Sequence, residues 1–168
     1  MVDYSGMRGK VMGIGNIWKH IFVAYVCLLL YFVVIKFNGS IDRIELIKTS
    51  RDLGAWNYNL FPFRTISSYF KNISDWYAYI NILGNVVCFV PMGFLIPMNF
   101  KKHRNSLKAI LIFIICIIGI EIFQFVTLLG FFDVDDILLN MLGCMVGYSG
   151  YVGFRKLFSK HSYLFQEM

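Results

Sequence analysis

The chain has 168 residues, of which 58% are hydrophobic, 18% aromatic and only 15% charged. Soluble domains carry about 25% charge, so this composition, gathered into long apolar runs, excludes an ordinary soluble enzyme and indicates an integral membrane protein. The formal net charge of +6 is read as setting topology and meeting anionic lipid; nucleic acid is excluded as a partner, because no basic and aromatic platform accompanies the charge.

No Pro-, Ser- or Gly-rich linker divides the chain, so a single membrane domain over residues 1–168 is expected. The fold class is all-α: a polytopic bundle of four transmembrane helices. The first span covers residues 17–37, IWKHIFVAYVCLLLYFVVIKF, with Trp18 and Lys19 as interfacial anchors. Its exit, VIKFNGS, lacks the small-x-small pattern of a cleaved signal peptide, so an uncleaved anchor is the better reading. A longer loop follows, with NLFPF at Asn59–Phe63 and a short glycosylation match at Asn72-Ile73-Ser74. The remaining spans are residues 76–98, 108–130 and 136–154. At about 1.5 Å per residue each is long enough for a hydrocarbon core of about 30 Å.

Lys and Arg orient this bundle. Arg8, Lys10, Lys19, Lys101, Lys102, Arg104, Lys108, Arg155, Lys156 and Lys160, ten of the sixteen basic residues, fall on one side. The last connection, GFFDVDD, has none. The excess of Lys and Arg in cytoplasmic loops then puts both termini in the cytoplasm of a bacterial plasma membrane protein. Cys27, Cys88, Cys116 and Cys144 each lie inside an apolar run, which argues against a disulfide framework or a zinc site.

Polar residues inside the spans are the candidate site. Asn81 and Asn85 are one turn apart on the second span, Glu121 and Gln124 are neighbours on the third, and Asp136 and Asn140 share a face of the fourth. With the third span ending at Gly130, Glu121 lies roughly 13 Å below its outer end. The six side chains therefore fall at similar depth in the outer half of the membrane. Gly143 and Gly147 continue the face of Asn140 in small-xxx-small spacing, and Gly93 offers a similar close approach on the second span. Pro91 removes a backbone donor mid-span and is expected to bend that helix.

Each residue also has a structural role to weigh. Asparagine and glutamine act as interhelical hydrogen-bond glue worth about 0.6 to 2 kcal/mol, and Asp133, Asp135 and Asp136 suit a helix N-terminus. Glu121 fits the glue role poorly, because a carboxylate within a span is costly and is by default a functional candidate. A hard divalent cation held by Asp133, Asp135 and Asp136 is a weaker reading than solvated caps, so no metal and no cofactor are assigned. His20, His103 and His161 all fall on the cytoplasmic side, leaving no imidazole to activate a nucleophile in the outer layer. GMRGK lacks phosphate-loop spacing, and no strand precedes Gly13-Ile14-Gly15.

The segments NLFPF, NILGNVVCFVPMGFLIP (Asn81–Pro97) and EIFQF…FDVDDILLNMLGCMVGY (Glu121–Tyr148) together resemble the VanZ-like family, over about residues 59–150. The matching positions include Asn81, Asn85, Pro91, Gly93, Glu121, Gln124, Asp133, Asp136, Asn140, Gly143 and Gly147. Relatives often carry a basic residue before the aspartate pair; here Phe131-Phe132 stands there, and Arg64 would have to supply any internal ion pair. The family is named for a membrane protein associated with teicoplanin resistance in Gram-positive bacteria. The resemblance implies an accessory protein of the cell envelope that affects lipoglycopeptide susceptibility or handles a lipid-linked cell-wall component. Two alternatives remain beside it: an intramembrane enzyme acting on a polar lipid headgroup with Glu121 and Asp136 as catalytic residues, and a small proton-coupled transporter or scaffold. The expected partner is a membrane lipid or lipid-linked intermediate.

Overall fold

A computed structural model describes residues 5–36, 41–71 and 76–159. In chain order these form α1 (Ser5–Lys36), α2 (Ile41–Asp52), β1 (Tyr58–Asn59), α3 (Arg64–Lys71), α4 (Trp76–Asn99), α5 (Ser106–Val126), β2 (Phe132–Asp133) and α6 (Val134–Ser159), with a short 3-10 turn at Lys101–His103. Among the described residues, four helices contain stretches long and apolar enough to cross a membrane: Asn16–Val33, Ala78–Asn99, Ser106–Val126 and Val134–Phe158. The all-α, four-span architecture expected from hydropathy is the observed one. Leu28, Val87, Ile115 and Val146, one from each of these helices, are exposed on the outside of the bundle, where hydrocarbon makes their exposure favourable.

Helix ends differ from the hydropathy reading where local chemistry stops the chain. The third span was expected to reach Gly130, but α5 ends at Val126. Leu128 takes a left-handed backbone conformation, φ 59°, and the Gly130 N–H folds back on the Gln124 carbonyl at 3.2 Å. The apolar residues Leu128 and Leu129 prolong the hydropathy signal without prolonging the helix. At the other end of α5, the Asn105 side chain accepts the Leu107 N–H at 3.0 Å, an N-cap of the usual kind. The fourth span, expected at residues 136–154, extends at both ends, because α6 begins at Val134 behind the cap residue Asp133 and runs to Ser159.

The central pair is α4 with α6. A Cβ added to Gly143 would lie 2.1 Å from the Val86 carbonyl oxygen, and one added to Gly147 would lie 1.9 Å from that of Val90. On α4 the same holds for Gly93, whose added Cβ would lie 2.0 Å from the Cys144 oxygen. Contacts ascend together along both helices, so the two run parallel with their backbones touching. In a medium as apolar as the side chains, such close approach supplies the dispersion and Cα–H···O contacts that hold helices together. The chain continues as helix through both Pro91 and Pro97.

The remaining spans flank this pair. Tyr25 of α1 donates its hydroxyl to the Cys88 carbonyl at 2.9 Å, and Trp18 packs on Phe94 and Phe154 with ring centroids 5.9 and 6.1 Å away. Phe113, Ile117 and Ala109 of α5 are fully buried against Phe89, Met92 and Cys144. One end of the bundle carries the basic turn around Lys101 and Lys102, tied down by the Tyr148 hydroxyl, which donates to the Arg104 carbonyl at 3.0 Å. The opposite end carries α2, α3 and the two strands. The glycosylation match at residues 72–74, and Lys160 and His161, lie outside the described residues.

Candidate functional site

The end opposite the basic turn is organised in two storeys. In the upper one, β1 and β2 pair in parallel, Tyr58 with Phe132 and Asn59 with Asp133, which fixes the first outer loop to the last. Asn57, 2% exposed, anchors the junction: its amide donates to the Gly130 carbonyl at 2.6 Å, and its carbonyl oxygen accepts Arg51 Nε at 2.6 Å. Arg51 also donates to the Phe125 carbonyl at 2.6 Å and lies 4.5 Å over the Phe125 ring. A cation beside the last carbonyls of α5 is favourably placed for the helix dipole.

The three aspartates have three different jobs. Asp133 is the N-cap of α6, its Oδ1 accepting the Asp135 N–H at 2.9 Å. The same carboxylate accepts Asn59 Nδ2 at 3.0 Å and the Thr65 hydroxyl at 2.6 Å. Asp135, with no solvent exposure, turns instead to a different helix. It accepts the N–H groups of Phe63 at 2.5 Å, Thr65 at 2.7 Å and Ile66 at 3.0 Å, capping α3 from about 70 residues away. Phe63 has φ 64°, a conformation that a bulky residue adopts only where its surroundings impose it. Asp136 points down into the bundle and accepts the amide of Asn85. The three carboxylates therefore diverge, and among the described residues no group of three His, Cys, Asp or Glu side chains converges as a metal site.

The lower storey lies inside the bundle. Glu121 is 2% exposed. Its Oε2 accepts the Asp133 backbone N–H at 3.4 Å and its Oε1 accepts the Asn140 amide at 3.4 Å. The N-terminus of α6 thus faces the carboxylate. Because α5 ends at Val126, Glu121 sits about 7.5 Å from the helix end at 1.5 Å per residue, shallower than the sequence reading placed it. Glu121, Gln124, Asn85, Asp136 and Asn140 line one cavity of about 20 Å³, with Leu29 and Val33 of α1 closing a side.

Five of the sequence-selected polar residues therefore meet in one place. Asp133 reaches Glu121 through its backbone N–H. Asn81 is half-buried one turn nearer the start of α4 and does not line the cavity. Arg64 is exposed at the first residue of α3 and also stays outside it. Arg51, Asn57 and Thr65 were not selected from the sequence. Charge and polarity in a presumed solvated loop gave no reason to single them out. Chemically, the lower storey offers carboxylates that can carry a proton or a cation. Among the described residues no histidine lines it, His20 and His103 lying towards the basic end.

The VanZ/LLP1 family model matches residues 22–158, from within α1 to the last turn of α6. The chain belongs to the VanZ/LLP1 family. Protein VanZ of Enterococcus faecium is 26% identical over 144 residues, which cover 83% of this chain and 73% of that protein. No solved structure matches. The VanZ/LLP1 match is wider than the segment that carries the sequence resemblance. It takes in the part of α1 whose Leu29 and Val33 wall the cavity, all of α4, and α6 up to Phe158. As a VanZ/LLP1 member with four apolar helices, the chain is a multi-pass membrane protein.

Proposed function

We propose that this chain is an accessory protein of the bacterial cell envelope. It lies in the plasma membrane with both termini cytoplasmic, engages a lipid-linked cell-wall component or polar lipid headgroup at the outer leaflet, and alters lipoglycopeptide susceptibility such as that to teicoplanin. The observation that carries this reading is the burial of Glu121 at 2% exposure, within a span and a short way below the end that bears no basic turn. A carboxylate held there costs several kcal/mol relative to an apolar residue unless its charge or proton is used. The excess of Lys and Arg at the opposite end supports the orientation. Asp136 and Asn85 shape the polar floor, while Asp133 and Asp135 hold the outer loops over it as a cover.

The test is the lipid extract that accompanies the purified protein. Mass spectrometry of wild type and Glu121→Gln, prepared in the same mild detergent, is expected to show one polar or lipid-linked species enriched over bulk phospholipid in wild type and reduced in the variant. Identical extracts matching bulk membrane lipid would overturn the reading.

A further inference from the structure

Both α1 and α5 pack against α4 but stand apart from each other, and the space between them is a groove of about 370 Å³. Its floor is Met92 and Ile96 of α4, both buried. Its rims include Leu30 of α1 and Ile115 and Phe123 of α5, all exposed. Among the described residues, none that lines the groove is charged. The Tyr25 hydroxyl, its most polar group, is already donated to the Cys88 carbonyl at 2.9 Å.

Gly119 belongs to the α5 wall, and its setting differs from that of the glycines between α4 and α6. A Cβ added there meets nothing within 4 Å. Glycine weakens a helix interior relative to alanine, and within a span its use is to let another body approach the backbone closely. No described helix makes that approach at Gly119. Its bared backbone faces the open groove.

The surroundings narrow what can lie there. In a multi-pass membrane protein, the open side of a groove between two spans continues the lipid-facing surface. Water would find no polar partners. A helix about 10 Å wide and 15 Å long displaces on the order of 1,000 Å³, well beyond the space available. A hydrocarbon chain fits, and on Met92 and Ile96 it gains the dispersion contacts that a void forfeits. From Phe22 to Val33 the α1 wall runs roughly 16 Å at 1.5 Å per residue, about half of a 30 Å hydrocarbon core. Phe22 packs on Phe100 beside the basic turn, ring centroids 5.4 Å apart. Val33, with Leu29 and Ile120, walls both the groove and the Glu121 cavity. The groove therefore descends from the polar storeys towards the basic end, the course of a chain hanging from a headgroup.

We propose that this groove seats one hydrocarbon chain of a membrane lipid, its polar end towards the Glu121 storey. For which lipid supplies the chain, the site rests on the envelope reading above; the seat itself does not.

The experiment uses the full chain in mild detergent, freed of co-purified lipid and titrated with a phosphatidylglycerol that carries a photoactivatable diazirine at mid-chain. After illumination, the labelled residues are mapped by peptide mass spectrometry. Labelling is expected to saturate at one probe per chain and to fall on residues 22–33 of α1 and 115–123 of α5. Gly119→Phe fills the groove and should lower it by on the order of tenfold. Gly119→Ala should label as wild type, and so should Gly153→Phe, whose added side chain enters open space on α6. If Gly119→Phe does not accumulate, saturation and mapping in wild type decide the question. Unsaturable labelling spread equally over the outer faces at Val87 and Val146 would mean bulk lipid alone and would overturn the proposal. So would undiminished labelling of the groove in folded Gly119→Phe, or a dimer that this variant dissociates, which would make the occupant a second copy. The map reads where a chain lies and not which head it bears, so its failure is distinguishable from failure of the envelope reading.

Discussion

A methyl group on Gly147 of α6 would sit 1.9 Å from the carbonyl oxygen of Val90 on α4, so the two helices meet backbone to backbone at this point. Even Gly147→Ala must push the pair apart, and Gly147→Leu should do so drastically. Overpacking of this kind costs about 1–3 kcal/mol and sometimes more. Folded yield and melting temperature in detergent should fall in the order glycine, alanine, leucine. Gly153 is the control: a Cβ there meets nothing within 4 Å, and Gly153→Ala should be neutral or stabilising by up to about 1 kcal/mol through helix propensity.

Asp135 carries the second prediction. Asp135→Ala strips three backbone N–H groups of α3 and its entry of their acceptor and removes what holds Phe63 at positive φ. Losing one cap costs about 0.5–2 kcal/mol. The damage should be local: faster protease cleavage around residues 58–71, with the helical content of the spans unchanged. Asp135→Asn keeps one accepting oxygen and should fall between.

These two positions differ in how far the sequence revealed them. The spans were legible because hydrocarbon demands about 20 apolar residues in a row, and the glycines of α6 because their four-residue spacing is local. The polar layer was legible for the same reason: Glu121, Gln124, Asn85, Asp136 and Asn140 each stand out against an apolar background. What was not legible depends on partners distant in sequence. Asp135 reads as a cap for its own helix, and nothing near it announces α3, whose N–H groups lie about 70 residues away. Asn57 and Arg51 have no neighbour in sequence that sets them apart, although one is buried and the other bonds the end of α5. The left-handed turn at Leu128 is hidden in a run that hydropathy counts as helix.

Orientation is tested by labelling. Phe131 and Lys102 are exposed at opposite ends of the bundle. In a background freed of the four native cysteines, Phe131→Cys should react with a membrane-impermeant maleimide on intact cells. Lys102→Cys should react only after permeabilisation. The reverse pattern would place the polar storeys in the cytoplasm and remove the outer-leaflet role.

Glu121 decides the rest, and the measurement is teicoplanin susceptibility of cells producing Glu121→Gln, with protein level and melting temperature recorded in parallel. Glutamine keeps the volume and most of the hydrogen bonding but cannot ionise. A companion Glu121→Leu should lower stability, since Asn140 would lose the acceptor it now bonds. Glu121→Gln is expected to accumulate and fold as wild type, yet to return susceptibility to that of cells lacking the protein. A stable Glu121→Gln chain with full wild-type effect would contradict this, leaving Glu121 as glue between α5 and α6.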